Sequence, residues 1–306
     1  MVAVNGAAYS EQAFLLGRRK TLVCIATRPV TLRMPDKPAV VILNAGIIHR
    51  VGPNRMSVKL ARALASIGIS ALRFDLSGIG DSEPRADGLP PLEASLSDIR
   101  EVLDGLAARG ESRFVLLGLC SGADHSVAYA ADDPRVAGLV LLDPSIPRTL
   151  CFYLNYYARR LGDSRSWLNA IAGKNPLLRS LAAIKMRGPD AANGAQGASA
   201  LTADGAQARA YLENAYGRIL ARDTRIMAMF TAGLQTRHNY REQLIDAFPR
   251  LNFGKNLSLH YLEHSDHEFT AEVDQAKLLQ QVVNWMSTER FPQASVALTG
   301  ASPLSH

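Results

Sequence analysis

Short apolar runs alternate with amphipathic stretches along most of this chain of 306 residues, and this alternation limits the folds open to it. The runs are continuous, which is typical of strands buried on both faces. They occupy residues 39–43, 69–74, 114–119, 136–142, 226–230 and 257–262, with helical patterns at 56–67, 92–109 and 271–286 and an opening hairpin of two short strands at 13–16 and 21–26. Strands joined through helices imply crossovers, so the sequence predicts an α/β fold with a mostly parallel, eight-stranded sheet and helices on both faces.

The alternation stops between residues 145 and 221, which indicates an inserted helical cap. Helices are expected within it at 152–160, 167–171 and 177–186. Residues 188–208 contain hardly any large apolar side chains, so we expect a flexible lid segment there. The predicted division is an α/β core of 1–144 and 222–294, a cap of 145–221, and a disordered tail of 295–306.

The composition excludes several classes of protein. No window reaches the roughly 18 apolar residues that a membrane span needs, and the first residues lack the basic and apolar regions of a signal peptide. The three cysteines lie far apart without a C-x-x-C pair, which argues against disulfides and a zinc site. We therefore expect a cytoplasmic protein, a monomer or homodimer, without metal, cofactor or nucleic-acid partner.

Positive charge is concentrated in one segment. Residues 146–226 contain twelve Lys or Arg and five Asp or Glu, a net of +7 (12 − 5), against +6 for the whole chain. This excess predicts contact with an acidic ligand, although a solvated basic surface would produce the same count.

The motif that carries chemistry is Gly118-Leu119-Cys120-Ser121-Gly122. It follows a predicted buried strand and precedes a predicted helix, the context in which a sharp turn exposes a nucleophile above the sheet. The usual pattern is G-x-S-x-G, so Cys120 takes the place of the nucleophilic serine. The N-terminus of the helix favours a thiolate. A buried cysteine acting as a small hydrophobe is the alternative.

A histidine base is expected after the last strand, 257–262, and two candidates follow it. His267 is our choice, because a loop of several residues is needed for the ring to reach back to Cys120. His264 competes, but it lies only two residues beyond the strand. The other histidines are His49, in the loop after the strand at 39–43, and His125, His238, His260 and His306, which we expect to be structural or exposed.

The carboxylate that orients the histidine is harder to assign. The chain order in such sites is nucleophile, acid, histidine, and the acid usually follows the strand after the cap. The loop at 231–236 contains no acid. Asp143 ends the preceding strand, so we assign it as the acid; Asp266 is adjacent to His267 only in sequence. A thiol can also be deprotonated by histidine without any carboxylate.

Two backbone donors should form an oxyanion hole. We assign them to Ser121, after the nucleophile, and to Ile47, in the loop after the first buried strand. His49, Arg50 and Arg55 in the same loop are predicted to bind an acidic group of the substrate, although such residues also brace loops.

These motifs together resemble the α/β-hydrolase superfamily. The matching stretches are 44–46, 73–82, in which Asp75 is expected to be structural, 118–122 and 266–267. The resemblance covers the chain outside the cap and implies an α/β-hydrolase fold. A narrower resemblance, carried by 49–52 and the Gly-Leu-Cys-x-Gly-Ala box, is to small hydrolases that accompany exosortase systems. Those relatives have S-G-x-D after the strand that follows the cap, where this chain has Gly233-Leu234.

The expected activity is acyl transfer or hydrolysis through an acyl-Cys120 thioester, with His267 and Asp143 completing the triad. A cysteine favours acyl thioesters of coenzyme A or an acyl carrier protein as substrates. A carboxylesterase acting on a small ester or lactone is one alternative, and a ligand-binding protein with an inactive site is another. Nucleotide-dependent oxidoreduction is disfavoured, since no G-x-G-x-x-G follows the first buried strand.

Overall fold

A computed structural model of the chain describes residues 9–31, 33–162 and 205–293. Eight strands form one sheet: β1 (Tyr9–Leu16), β2 (Leu22–Pro29), β3 (Ala39–Ile42), β4 (Ala71–Phe74), β5 (Phe114–Leu119), β6 (Val136–Leu142), β7 (Arg225–Thr231) and β8 (Leu257–Leu262). Their order is β1-β2-β4-β3-β5-β6-β7-β8, antiparallel for the first two pairings and parallel for the others. The predicted mostly parallel, eight-stranded sheet with an opening hairpin is confirmed.

Seven helices are described: α1 (Met56–Ser66), α2 (Pro91–Ala107), α3 (Ser121–Ala130), α4 (Leu150–Gly162), α5 (Ala206–Leu220), α6 (Gln243–Ala247) and α7 (Glu272–Thr288). They cover both faces of the sheet. Successive side chains of a strand point to opposite sides, so the apolar side chains of these strands need helices on each face to be buried. Val41 and Leu116 pack in one core cluster with residues of α2, α3, α5 and α6. Val40 and Val115 pack in the other, with residues of α1 and α7.

Helix α5 corrects the predicted boundary of the cap. Its residues Leu212, Ala215, Tyr216 and Ile219 recur at helical spacing and are buried in the core cluster that contains α3. The helix therefore belongs to the core although it lies within 145–221. Residues 206–208, predicted to be flexible, form its first turn.

Helix α4 confirms the first of the three helices expected in the cap. The expected helices at 167–171 and 177–186, the rest of the flexible segment and the tail at 295–306 lie outside the described residues. Within the described part, no helix is long and apolar enough to cross a bilayer.

Candidate active site

Cys120 occupies a sharp turn between β5 and α3. Its backbone has φ 55° and ψ −119°, a conformation that side-chain-bearing residues rarely adopt. A Cβ on Gly118 would overlap the carbonyl group of Gly122, and a Cβ on Gly122 would lie 2.5 Å from the carbonyl oxygen of Asn44. Both glycines of the motif are thus required by the close packing of this turn, which leaves the Cys120 side chain half-buried at the carboxyl edge of the sheet.

Asp143 directly follows β6, beside Cys120 at the same edge of the sheet. Its carboxylate is buried, and four polar groups lie close to its two oxygens, about as many as their lone pairs can accept. Oδ1 accepts the backbone N–H of Thr231 at 2.7 Å and lies 3.1 Å from Nε2 of His238. Oδ2 accepts the Thr231 hydroxyl and lies 2.7 Å from Nδ1 of His267. These contacts outweigh the effect of burial, which alone would raise the pKa of Asp143, and hold that pKa below its ordinary value.

His267 lies in the loop between β8 and α7, which packs tightly against the loop after β7. The Gly233 N–H donates to the Ser265 carbonyl at 3.2 Å, and a Cβ on Gly233 would lie 2.6 Å from the backbone nitrogen of His267. The Asp266 carboxylate accepts the backbone N–H groups of Glu268 and Thr270. The loop therefore fixes the imidazole with Nδ1 toward Asp143, which leaves Nε2 for Cys120.

The thiol and the imidazole shift each other's ionisation in opposite directions. Burial would raise the pKa of Cys120, but its hydrogen bond to His267 and the charges of His267 and Arg237 outweigh burial and lower that pKa. Burial would lower the pKa of His267, but the hydrogen bonds and charges of Asp143 and Cys120 raise it to about 9. Both shifts favour a thiolate–imidazolium pair near neutral pH.

A sequence model of the hydrolase family described as serine aminopeptidase, S33, matches residues 36–217, more than half of the chain. The chain belongs to this family. The matched region includes Cys120, so this S33-family hydrolase has a cysteine at the position where the fold usually has its serine.

Solved structures confirm the α/β-hydrolase fold of the S33-family chain. The α/β hydrolase GrgF from Penicillium sp. sh18 is 15% identical with a TM-score of 0.54, over 92% of this chain and 99% of that one. A putative hydrolase from Agrobacterium vitis S4 is 15% identical with a TM-score of 0.53, over 91% and 99%. The Pyrococcus furiosus esterase Pf2001 is 12% identical with a TM-score of 0.52, over 93% and 94%. No curated protein sequence matches this chain significantly.

The two competing residues, His264 and Asp266, are less suitably placed for a triad than His267 and Asp143. His264 is exposed, and Asp266 serves as a cap for its own loop. The loop after β7 has no acid, as the sequence indicates, and it forms a short 3-10 turn at Ala232–Leu234. The structure thus brings together Cys120, Asp143 and His267.

The predicted oxyanion hole is only partly supported by the geometry. Ser121 is the first residue of α3, where a backbone N–H has no partner within the helix. Its hydroxyl accepts the Gly46 N–H at 2.7 Å, so the loop after β3 is bound to the turn at Gly46. The Ile47 side chain is 88% exposed, one residue beyond this contact. Ile47 as the second donor stays a prediction.

The contacts of the predicted substrate-binding residues lie within their own loop and its neighbours, and their role toward a substrate stays a prediction. The Arg50 guanidinium contacts the buried Asp75, and also Asp81 at 2.6 Å, so it braces its loop. Arg55 lines a 350 Å³ cavity together with Arg50, and among the described residues none of the triad lines it. His49 is exposed, and its ring Nδ1 accepts the Val51 N–H at 3.4 Å. The expected role of Asp75 as a structural residue agrees with these contacts.

Three residues around the site were missed in the sequence. Thr231 and His238 contact Asp143, and the charge of the exposed Arg237 acts on Cys120. All three lie at or after the end of β7, where the sequence has no carboxylate but has these donor and cationic side chains. A search of that loop for hydrogen-bond donors would have found them.

A cavity of about 830 Å³ lies between α4, the loop after β7 and the end of β8, and none of Cys120, Asp143 and His267 is among the described residues that line it. Asn155 and Arg159 line it from α4, and Gln235, Arg241 and Tyr261 line it from the other side. Within the described ranges, no group of three or more His, Cys, Asp or Glu is arranged to hold a metal ion.

The basic excess of 146–226 is partly structural. Arg209 and Arg222 donate to carbonyl groups of the core, Arg218 pairs with Asp132, and Arg225 pairs with Glu289. These arginines join the segment to the core. Arg159 is the described cation of the segment that lines the cavity.

Proposed function

We propose that this S33-family hydrolase is a cysteine-dependent thioesterase or acyltransferase that works through an acyl-Cys120 intermediate. The observation that carries the proposal is the connected set of Asp143, His267 and Cys120, with 2.7 Å between Asp143 Oδ2 and His267 Nδ1 and a thiol whose pKa is lowered by His267 despite burial. An inactive, ligand-binding protein would not need this arrangement.

The reaction begins from the thiolate–imidazolium pair, in which the Cys120 proton lies on Nε2 of His267. The thiolate then attacks the carbonyl carbon of the acyl thioester, and the oxyanion of the tetrahedral intermediate is stabilised by backbone N–H groups, with Ser121 as the first donor. The carbon–sulfur bond to the carrier breaks, and the carrier thiolate takes the proton from His267. In the second step, His267 accepts a proton from water or another acceptor, which attacks the acyl-Cys120 carbonyl and releases the Cys120 thiolate.

The leaving groups favour a thioester substrate. When Cys120 attacks a thioester, both groups that can leave the intermediate are thiolates of similar basicity, so acyl exchange proceeds readily. When it attacks an ordinary ester, the alkoxide is the poorer leaving group, and the intermediate tends to expel Cys120 again. An acyl-enzyme therefore accumulates more easily from coenzyme A or carrier-protein thioesters.

Cations near the site suit a carrier that bears phosphate. Arg237 is close enough for its charge to lower the pKa of Cys120, and Arg159 and Arg241 line the cavity formed by α4, β8 and the loop after β7. Phosphates of coenzyme A or of a carrier protein's prosthetic group would be attracted there. We assign these three cations, rather than Arg50 and Arg55, to the proposed carrier site.

The decisive experiment measures covalent acylation by intact-protein mass spectrometry. A short-chain acyl-coenzyme A is expected to add its acyl mass once to the wild-type protein and not to Cys120→Ala. Cys151 is exposed and can exchange with thioesters without catalysis, so Cys151→Ala is the matched control and should keep the adduct. An adduct that persists in Cys120→Ala, or none in the wild type, contradicts the proposal.

A second comparison tests the carrier. Acyl-coenzyme A and the same acyl group on N-acetylcysteamine offer the same thioester with and without phosphates. The kcat/KM ratio of the two should fall in Arg237→Gln, by about tenfold if the contact is worth about 1.4 kcal/mol. An unchanged ratio would remove Arg237 from the proposed carrier site.

A carboxylesterase for a small ester or lactone is the second candidate. Membership of a family described as serine aminopeptidase favours it, because such enzymes hydrolyse substrates without a thiol carrier. Hydrolysis of p-nitrophenyl acetate faster than of the matched thioester would favour the esterase.

The resemblance of 49–52 and the Cys120 motif to hydrolases of exosortase systems suggests a role beside such a system, and co-purification with an exosortase would support it.

A further inference from the structure

A second imidazole reaches the carboxylate of the triad. His238 is 1% exposed, and its Nε2 lies 3.1 Å from Oδ1 of Asp143. Its ring packs edge-on against Phe230 at 4.8 Å and against Tyr261 at 6.3 Å between centroids, and its backbone N–H donates to the Leu234 carbonyl at 3.0 Å. The ring is therefore held in place on the side of Asp143 opposite to His267.

The position of His238 divides the carboxylate between two histidines. Oδ1 is occupied by His238 and the Thr231 N–H, and Oδ2 by His267 and the Thr231 hydroxyl. Rotation of the carboxylate would break contacts on both sides at once. The contact with His238 therefore helps to keep Oδ2 in the direction of His267.

The burial of His238 beside Asp143 has both an unfavourable and a favourable effect on the stability of the fold. Nε2 is within ion-pair distance of Asp143 but is not aligned as a hydrogen bond, and neither ring nitrogen of His238 has an aligned partner among the described residues. A buried imidazole with unpaired nitrogens is unfavourable compared with an apolar side chain of similar size. The attraction to the ionised Asp143 is the interaction that offsets this cost.

We propose that His238 is a positioning residue that holds the Asp143 carboxylate in the orientation that His267 requires. The proposal rests on the proposed function only in taking Asp143, His267 and Cys120 as the working site. His238 does not face the substrate carbonyl, and it acts on Cys120 through Asp143 and His267.

The charged groups around His238, Asp143, His267 and Cys120 determine which measurement can detect the loss of His238. Cys120 responds to His267, Arg237 and Asp124, whereas Asp143 responds to His238 and His267. Tyr261, whose ring packs on His238, is the further titratable group near Asp143. Removal of His238 leaves Arg237 and Asp124 in place, so a change in Cys120 reactivity reports on Asp143 and His267.

The experiment measures the rate at which iodoacetamide alkylates Cys120 between pH 5 and 9.5, followed by mass spectrometry of the peptide that contains it. The background is Cys151→Ser, because Cys151 is exposed; Cys24 is buried, and burial raises the pKa of its thiol to about 12. His238→Leu should slow alkylation about tenfold at pH 6, the change that one unit in the thiol pKa produces, and should match the parent above pH 9. His238→Gln, which keeps an N–H near the position of Nε2, should restore most of the rate at pH 6.

His260 provides the matched control. Its ring Nε2 lies 2.9 Å from the Ser258 hydroxyl on the same strand, so His260→Leu removes an imidazole without touching Asp143 and should leave the alkylation profile unchanged. A His238→Leu rate lowered equally at every pH, or a profile identical to the parent, would overturn the proposal. If His238→Leu does not fold, His238→Gln and His238→Asn are compared; equal profiles for these two overturn it, because the shorter Asn cannot reach Asp143.

The readout needs no acyl substrate. A Cys120 that is never acylated, together with an alkylation profile shifted by His238→Leu, would refute the proposed function and leave the positioning role intact. The reverse result, acylation with an unshifted profile, would refute the role of His238 alone.

Discussion

The ends of β6 and β7 are neighbours in the sheet, but they contribute opposite kinds of group to the site. β6 is followed directly by Asp143, a buried carboxylate that only accepts hydrogen bonds. β7 ends in Thr231, which donates to that carboxylate with both its backbone N–H and its hydroxyl at 2.7 Å. The end of β7, which the usual acid of this fold follows, therefore supplies hydrogen-bond donors to a proposed acid placed one strand earlier.

The strands beside the site are connected at these ends. The Cys120 N–H donates to the Leu142 carbonyl of β6, and the Asp143 N–H donates to the Met229 carbonyl of β7. Cys120 and Asp143 both have positive φ angles, 55° and 47°, so each strand turns sharply at its functional residue. The proposed nucleophile and the proposed acid are thus presented by the same local geometry at the ends of adjacent strands.

The largest effect is expected from removing the charge at the end of β6. Asp143→Asn should lower kcat/KM for an acyl thioester about 10²-fold or more, because a neutral amide cannot stabilise the His267 imidazolium. The control is Asp266→Asn, a change in the neighbouring acid that caps backbone N–H groups of Glu268 and Thr270. A larger loss in Asp266→Asn than in Asp143→Asn would show that the acid has been assigned to the wrong strand end.

A smaller effect is expected from crowding the loop after β7. In Gly233→Ala, the new Cβ would lie 2.6 Å from the His267 nitrogen and 2.9 Å from Cα of Asp266, so the backbone that carries His267 must move. Because displacements of about 1 Å cost up to about 10²-fold in rate, kcat should fall about 10- to 100-fold.

Gly217→Ala is the control for this change. Gly217 lies within α5, and a Cβ there would only contact a Leu251 side-chain atom at 3.6 Å. It should keep full activity and raise the free energy of unfolding by up to about 1 kcal/mol, as alanine favours a helix over glycine. Unchanged kcat in Gly233→Ala would show that the two loops do not position each other.

Next in size is the loss of the donor at the end of β7. Thr231→Val removes the hydroxyl that donates to Asp143, which should lower the free energy of unfolding by about 1.5–3 kcal/mol and kcat by about tenfold. Thr224→Val is matched in burial at the other end of the same strand, where the hydroxyl donates to the Val136 carbonyl at 3.4 Å. Denaturant unfolding and kcat measured on both should show an activity loss in Thr231→Val alone; an equal loss in both would mean that Thr231 only stabilises the fold.

Much of the fold was predictable because buried parallel strands are continuous apolar runs. The predicted bounds of β5, β6 and β8 coincide with the observed Phe114–Leu119, Val136–Leu142 and Leu257–Leu262. Helix α5 was assigned to the cap because its sequence follows the cap directly, and only its packing on α3 shows that it belongs to the core. Position along the chain cannot reveal which layer a helix joins.

The site was predictable only where backbone position determines side-chain position. Cys120 and Asp143 end strands, so their place at the carboxyl edge follows from the order of the elements. Arg50 could not be assigned in this way, since it is drawn to Asp75, a residue 25 positions away that is buried beside it. His238 follows a short turn whose direction depends on the contact between two loops, and its approach to Asp143 is a tertiary result.

The smallest effect tests whether the usual acid position retains any function. Gln235 is exposed in the loop after β7, and Gln235→Glu adds a carboxylate there with almost no change in shape. Asp143 already occupies Nδ1 of His267 at 2.7 Å, and an exposed charge is largely screened by solvent. For the N-acetylcysteamine thioester, which brings no phosphate to the cavity that Gln235 lines, kcat/KM should therefore change by no more than about twofold in the wild-type background. In Asp143→Asn the same addition should not restore activity. A tenfold rescue of Asp143→Asn would show instead that His267 can take its acid from either strand end, and that the placement of the carboxylate after β6 is one of two workable solutions rather than the one this site requires.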